Sequence, residues 1–281
     1  MEIEQICEEQ MFCSNDEDVL SSSDENIKQD DKIKKCNNCG YFGHTVKDCK
    51  MPKNTFGILC YHKDINDDIW ILMVKKKYTY EFVTFMRGVY NTPDECMRLC
   101  KYFSDFEIRF MYNICKLDFY KLWGHFWTHN MNAMRRKFYN KLKKKYETCF
   151  LPICDEVLLE RFRGIDSLWE IPKGKKNYWE RPIDCATREF QEETGIDKSK
   201  LIHKKNIALL KETQKGSDGT YYRFNYYVME LESKEPVFVS PLLYEQHTEI
   251  RSIRWFRLDD AIKLHNKPCC NILCTFANVV S

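Results

Sequence analysis

The 281-residue sequence contains no apolar run long enough to cross a bilayer, which excludes a chain threaded through the membrane. It also lacks the basic start and apolar stretch of a secretory signal; the opening "MEIEQICEEQMFCSNDEDVL" carries acids in their place. No internal repeat is present. Nor is the cysteine count even: there are fifteen, and without a secretion signal they point to buried thiols or metal ligands rather than disulfides. The expectation is a soluble intracellular protein with no membrane partner. Its length suits one large domain or two modest ones around a real core.

Charge is distributed unevenly. Residues 1–31 hold eleven acids and one lysine, a net of −10, so residues 32–281 carry +12 behind an overall +2. The serine-rich acidic head, 1–31, is expected to be disordered, and the basic body is suited to a polyanion.

Residues 32–52 form a compact unit. "CNNCGYFGHTVKDC" spaces Cys36, Cys39, His44 and Cys49 as C-x2-C-x4-H-x4-C, three thiols and an imidazole that satisfy tetrahedral Zn2+ in a closed structural site. Gly40 and Gly43 permit the tight turns around the ion. The cluster resembles the retroviral-type zinc knuckle, and in that resemblance Tyr41 and Phe42 would offer an aromatic surface to an unpaired RNA base. Some knuckles bind proteins instead.

"TFGILCYH" (55–62) and "IWILMVKKK" (69–77) read as strands joined by a hairpin loop, "KDINDD". From Thr92 to about Phe150 the sequence is long, glycine-poor and helix-like, started by Asn91-Thr92-Pro93. Strand-like segments return at 153–163 and 167–174, then as a pair at 206–214 and 220–231, and finally at 250–258 before a last helix begun by "DDAIKLH". The order predicts an α/β (α+β) fold with a mixed sheet packed by helices. The domain reading is a head (1–31), a knuckle (32–52), a sheet domain (53–91 and 151–281) and a basic helical insertion (92–150).

Within that insertion "RRKFYNKLKKKYE" holds Arg135, Arg136, Lys137, Lys141, Lys143, Lys144 and Lys145 with no acid before Glu147. On a helix Phe138 and Leu142 would face inward and the cations would spread over the rest, a surface that attracts phosphate backbone without reading sequence. Arg135, Arg136, Lys141, Lys144 and Lys145 are the candidate RNA contacts. Trp123 and Trp127, four apart, could stack a methylated guanine, although aromatics at helical spacing are more often core.

The chemistry is concentrated in "GKKNYWERPIDCATREFQEETGI", Gly174 to Ile196. Pro182 suits a first helical turn, and Ile183, Ala186 and Phe190 form an apolar stripe at helical spacing. Glu189 precedes Glu192 and Glu193 by three and four residues, so the three carboxylates converge beside that stripe. Such a hard-oxygen site suits Mg2+ or Mn2+ and the phosphate oxygens these ions carry. Arg188 is placed to orient Glu192. Lys173, Gly174, Lys175 and Lys176 form a loop able to approach an anionic substrate.

The segment fills every position of G-x5-E-x7-R-E-U-x-E-E-x-G-U and so resembles the Nudix hydrolases, which implies an α-β-α sandwich and hydrolysis of a diphosphate linkage with divalent metal. By motif position Glu189, Glu192 and Glu193 are the metal carboxylates, one of the last two a candidate base, with Glu180 supporting the loop or an outer metal. "WEIPKGKK" with "CATREFQEETGID", and "TEIRSIRWFRLDDA" downstream, look like the corresponding segments of mRNA-decapping enzymes. That likeness makes Glu249 a metal ligand or base and capped mRNA the partner. A helical block inserted after the first strands is more similar to the decapping enzymes of large cytoplasmic DNA viruses of the poxvirus, African swine fever virus and mimivirus types. It implies host cytoplasm, virion packaging as a further expectation, and accelerated mRNA turnover with shutoff of host expression. Two alternatives stay open: a Nudix hydrolase of small substrates such as diphosphoinositol polyphosphates or nucleotides, and a non-catalytic RNA-binding scaffold.

Overall fold

A computed structural model describes residues 35–127, 133–159, 166, 168–216, 219–264 and 267–280. The acidic head lies outside the described residues. The strands are β1 (Lys53–Lys63), β2 (Ile69–Lys76), β3 (Trp169–Glu170), β4 (Lys173–Gly174), β5 (Ile202–His203), β6 (Leu210–Lys215), β7 (Tyr221–Glu230) and β8 (Ile250–Arg257). The helices are α1 (Tyr80–Met86), α2 (Pro93–Cys100), α3 (Asp105–Arg109), α4 (Phe119–Trp127), α5 (Ala133–Lys145), α6 (Cys154–Leu159), α7 (Pro182–Thr194), α8 (Tyr244–Glu249), α9 (Leu258–Ile262) and α10 (Lys267–Val280).

All eight strands belong to one mixed sheet. Its central path runs β3-β2-β1-β7-β5, with β8 on β2, β4 on β1 and β6 on β7. Among the described strands only β1 and β7 pair in parallel, from Lys53 opposite Tyr222 to Tyr61 opposite Glu230. Their parallel alignment puts the ends of distant segments side by side. The two-residue period of β1 then divides the core. Ile58 and Cys60 pack with Ala186 and Phe190 of α7, whereas Leu59 and Tyr61 pack with Ile272, Leu273 and Phe276 of α10. The result is the α-β-α sandwich expected from the motif, with α7 on one face and α9 and α10 on the other.

A third core lies in the helical segments. Phe82 and Phe85 of α1, Cys96 and Cys100 of α2, Ile108 of α3, Trp123 and Trp127 of α4, and Tyr146, Phe150 and Val157 share it. The tryptophan pair is therefore core, with centroids 5.8 Å apart. The thirteen described cysteines are free thiols. No described helix is long and apolar enough to cross a membrane.

Three readings change. "ICDEVLLERFR" was expected as a strand, but Cys154–Leu159 is the helix α6. A short apolar run does not reveal its period, and Val157 is drawn into the helical core. Helix α1 begins before Thr92, inside the stretch read as sheet domain, and two turns are too short for periodicity to register. After the last strand the chain forms two helices, α9 and then α10, whose buried Cys269, Ile272, Leu273 and Phe276 repeat at three and four.

Glu107 holds the insertion together at its start. Its carboxylate accepts from Ser104 N (2.7 Å), Thr79 Oγ1 (2.9 Å) and Thr79 N, so one side chain completes the capping box of α3 and fixes the N-cap residue of α1. Burial pushes this carboxyl up to about 7, against the pull of the Thr79 and Ser104 donors. Its folded pKa is thus above the ordinary 4.5, so its contribution to stability is full below that value and is lost as pH rises through about 7. Relative to Glu107→Gln, the parent protein is expected to lose about 3 kcal/mol of unfolding free energy across that window. Urea denaturation at a series of pH values checks this; a gap that does not vary with pH would refute it.

Candidate active site

Helix α7 starts at Pro182 with Arg181 as N-cap and ends at Gly195, whose φ of 74° is the left-handed cap that a side chain disfavours. The buried Ala186 and Phe190 fix its rotation against the sheet. That rotation points Glu193, 3% exposed, under the ends of β2 and β4, while Glu189 and Glu192 lie nearer solvent.

Arg188 is the hub of the outer half. Its Nε donates to Glu180 Oε1 at 2.8 Å and its Nη2 to Glu180 Oε2 at 3.1 Å, a two-pronged clasp. Its Nη1 lies 2.9 Å from both Glu189 Oε1 and Glu192 Oε2, and its Nη2 also donates to the Lys175 carbonyl at 3.1 Å. Glu180 thus supports the loop by holding Arg188. Burial raises the Glu189 pKa, opposed by Arg188 and reinforced by Glu192.

Lys76 is the hub of the inner half. Its ammonium donates to Glu193 Oε1 and to Glu249 Oε2, the latter at 3.2 Å, and Glu193 Oε2 accepts from Lys173 N at 3.1 Å. Burial pushes the Glu193 carboxyl up to about 7, with Lys76 pulling against it and Glu170 adding to the rise. Burial disfavours the Lys76 cation too, but Glu193, Glu170 and Glu249 outweigh it and raise its pKa. A bulge aims this lysine: opposite β8, Lys75 pairs with Ser252 and Lys76 with Ile250, leaving Arg251 as the extra residue. Arg251 and Lys75 both turn to Asp166, at 3.0 and 2.5 Å.

Of the loop residues, Lys173 points back into the protein, its Nζ 2.5 Å from Glu170 Oε2, and so does not offer its ammonium to a substrate. Lys175 is exposed. Glu249 closes α8 beside β8 and reaches the same lysine as Glu193, which brings the two carboxylates to one centre. Lys76 and Glu170 were missed in the sequence. Glu170 stood in "WEIPKGKK", but Lys76 was one of three consecutive lysines, and only the bulge distinguishes it.

The residues fit a divalent cation. Every donor is a carboxylate oxygen, two of the carboxyls carry raised pKa values, and Gly174 leaves the space they need: a Cβ there would lie 1.9 Å from Glu189 Cδ. Arg188 and Lys76 hold the carboxylates by side-chain charge.

The second centre is compact. Ligand atoms of Cys36, Cys39, His44 and Cys49 all lie within 4.8 Å of one another, a donor set that fits tetrahedral zinc. Burial opposes charging Cys49, but donors led by the Asn38 amide and His44 outweigh it and bring the thiol down to about 6. Tyr41 and Phe42 are exposed beside it.

On α5, Lys141 and Lys144 are exposed, and Leu142 packs against the helical core. Phe138, expected to face inward, is exposed. Lys145 has a different task from phosphate contact: it donates to the Gly88 and Tyr90 carbonyls at 2.8 and 2.7 Å and to Asn91 Oδ1 at 3.0 Å. The side chains of Arg135 and Arg136 lie outside the described set. Gly174→Ala is expected to push Glu189 aside and weaken Mg2+ or Mn2+ binding at least about tenfold while circular dichroism stays unchanged. Unaltered affinity in a calorimetric titration would show that the glycine is dispensable.

A NUDIX domain model matches residues 153–269. The mRNA-decapping protein g5R of African swine fever virus (isolate Warthog/Namibia/Wart80/1980) is 30% identical over 217 residues, covering 74% of this chain and 86% of the relative. A protein of Acanthamoeba polyphaga mimivirus, whose name also carries the words mRNA-decapping, is 26% identical over 228 residues, 72% of this chain and 61% of that one. The mRNA-decapping enzyme subunit 2 of Arabidopsis thaliana aligns at 32% over 134 residues, 48% of this chain and 29% of the relative. Similarity across three quarters of the sequence reaches far beyond the segment from Gly174 to Ile196, and it means that the chain belongs to the Nudix hydrolase family, together with these viral proteins.

Proposed function

We propose that the chain is an mRNA-decapping Nudix hydrolase that cleaves the pyrophosphate linkage of the 5′ cap, releasing a methylguanosine diphosphate and RNA with a 5′ monophosphate. The observation that carries this reading is the similarity to g5R along most of both chains, in a protein that keeps every Nudix carboxylate. A host-cytoplasm setting follows from the same likeness.

Glu189, Glu192 and Glu193 would hold Mg2+ or Mn2+, which when bound supplies charge neutralisation at the phosphoryl oxygens and a more acidic attacking water. Lys76 orients Glu193 and opposes the effect of burial on its carboxyl, which still lies at about 7. Glu249, exposed and within reach of Lys76, is placed to receive a proton from water at Oε2. Arg188 fixes Glu189 and Glu192 relative to the loop, and Lys175 is the loop cation available to a phosphate.

The remaining parts address the RNA body. The insertion, taken from α1 to α6, presents Lys141 and Lys144 to phosphates, and the knuckle, organised by Zn2+, presents Tyr41 and Phe42 to bases. These features favour capped RNA over a small diphosphate, because a small substrate has no use for contacts so far along the chain.

Cap-labelled RNA incubated with Mg2+ or Mn2+ is expected to yield the methylguanosine diphosphate, and Glu193→Gln to lower kcat by about a thousandfold. Failure to form that product would remove the reading. Uncapped RNA is expected to inhibit by competition. Cys49→Ser is expected to abolish the zinc seen by atomic absorption and to weaken uncapped RNA binding about tenfold; full zinc content in that variant would contradict the four-ligand assignment.

A further inference from the structure

The two asparagines between Cys36 and Cys39 face the hydrolase domain. Asn38 donates to the Pro52 carbonyl at 3.0 Å and accepts from Asn54 N at 2.8 Å, which anchors the knuckle to the start of β1. Asn37 donates across to the Lys176 carbonyl at 2.8 Å. That carbonyl belongs to the loop between Gly174 and Glu180, the same loop that approaches Glu189.

The loop is therefore clamped from three directions. Arg188 holds the Lys175 carbonyl, Asn37 of the knuckle holds the Lys176 carbonyl, and Glu180 Oε2 accepts from Asn177 N at 2.8 Å. A turn closes behind them, with Glu180 N donating to the Asn177 carbonyl at 3.2 Å. What the clamped turn displays is Tyr178, 56% exposed, and Trp179, 75% exposed, with ring centroids 4.9 Å apart at 76°. Trp179 has a φ of 66°, a conformation that a bulky side chain avoids unless its surroundings impose it. Hydrophobic burial does not explain two large rings held outward in this way.

Resting on the decapping reading, we propose that Tyr178 and Trp179 are a base-stacking platform for the unpaired RNA strand next to the cleavage centre, and that the zinc knuckle positions this platform through Asn37. The chemistry of the surroundings selects the occupant. Lys175 lies on the same loop, and Lys47 and Lys50 are exposed on the attached knuckle, so an anionic backbone is attracted where aromatic faces wait for bases. The nearby acids are already committed: Glu180 of the loop pairs with Arg188, and Asp184 in the first turn of α7 pairs with Arg181 at 2.6 Å. An unpaired RNA strand supplies both phosphates and bare base faces; an apolar peptide surface supplies neither.

The test is fluorescence anisotropy with the full-length zinc-loaded protein and a short 5′-monophosphorylated single-stranded RNA, beside an abasic strand of equal length. Trp179→Ala is expected to weaken binding of the RNA about tenfold but leave the abasic strand unaffected, and Trp179→Phe to recover most of the loss. Asn37→Ala is expected to keep its zinc, to weaken RNA binding in the same base-dependent way, and to speed hydrogen exchange at residues 175–180. RNA affinity unchanged by Trp179→Ala, or an equal loss on the abasic strand, would overturn the platform. Because Trp179 is exposed, its removal does not threaten the fold. A base-dependent loss in a protein that fails to hydrolyse capped RNA would keep the platform and remove only the decapping reading; hydrolysis without that loss would do the reverse.

Discussion

The pair formed by Glu193 and Lys76 is the constraint on which the centre depends. A carboxylate taken almost wholly out of water would protonate unless a cation shared its site, and a lysine in the same place would lose its proton. Each favours the charged form of the other, although burial still leaves the Glu193 carboxyl at about 7. Breaking such a pair from one side costs about 3–5 kcal/mol, because the remaining charge is stranded. The pair also joins the sheet to α7, since Lys76 ends β2 while Glu193 belongs to the helix packed across it.

A bulge makes that union possible. The extra residue in β8 turns Arg251 and Lys75 to Asp166 and leaves Lys76 to the carboxylates. Arg188 performs the equivalent service at the surface for Glu180, Glu189 and Glu192. Five carboxylates are thus held by two side-chain cations, Glu180, Glu189 and Glu192 by Arg188 and Glu193 and Glu249 by Lys76. Gly174 matters for a related reason, since only a missing Cβ allows the loop to lie against Glu189.

The knuckle and the insertion differ in how they are attached. The knuckle is bound by polar contacts, Asn38 to β1 and Asn37 to the loop, so its orientation is set by directional bonds rather than by a shared core. The insertion has an aromatic core of its own and is capped at its start by Glu107. Polar attachment suits an element that must hold a loop in register, and a separate core suits an element that carries charge on its outside.

Much of the site was legible in the residues. Spacing alone put Glu189, Glu192 and Glu193 on one side of a helix, gave Arg188 its reach to Glu192, and grouped Cys36, Cys39, His44 and Cys49, because helical periods and ligand spacings are local properties of the chain. The strands β1, β2, β7 and β8 were readable for the same reason. Helix α6 was not, since a short run of apolar residues takes its form from whatever core receives it. Tertiary structure alone decided that Lys76 rather than Lys75 meets Glu193, that Lys173 and Lys145 spend their ammonium groups inside the protein, and that the asparagines of "CNNC" face the hydrolase. The Lys76–Glu193 and Asn37–Lys176 contacts join residues more than a hundred positions apart, and Lys145 reaches back more than fifty, so they follow from a bulge, a sheet register and packing rather than from a local pattern.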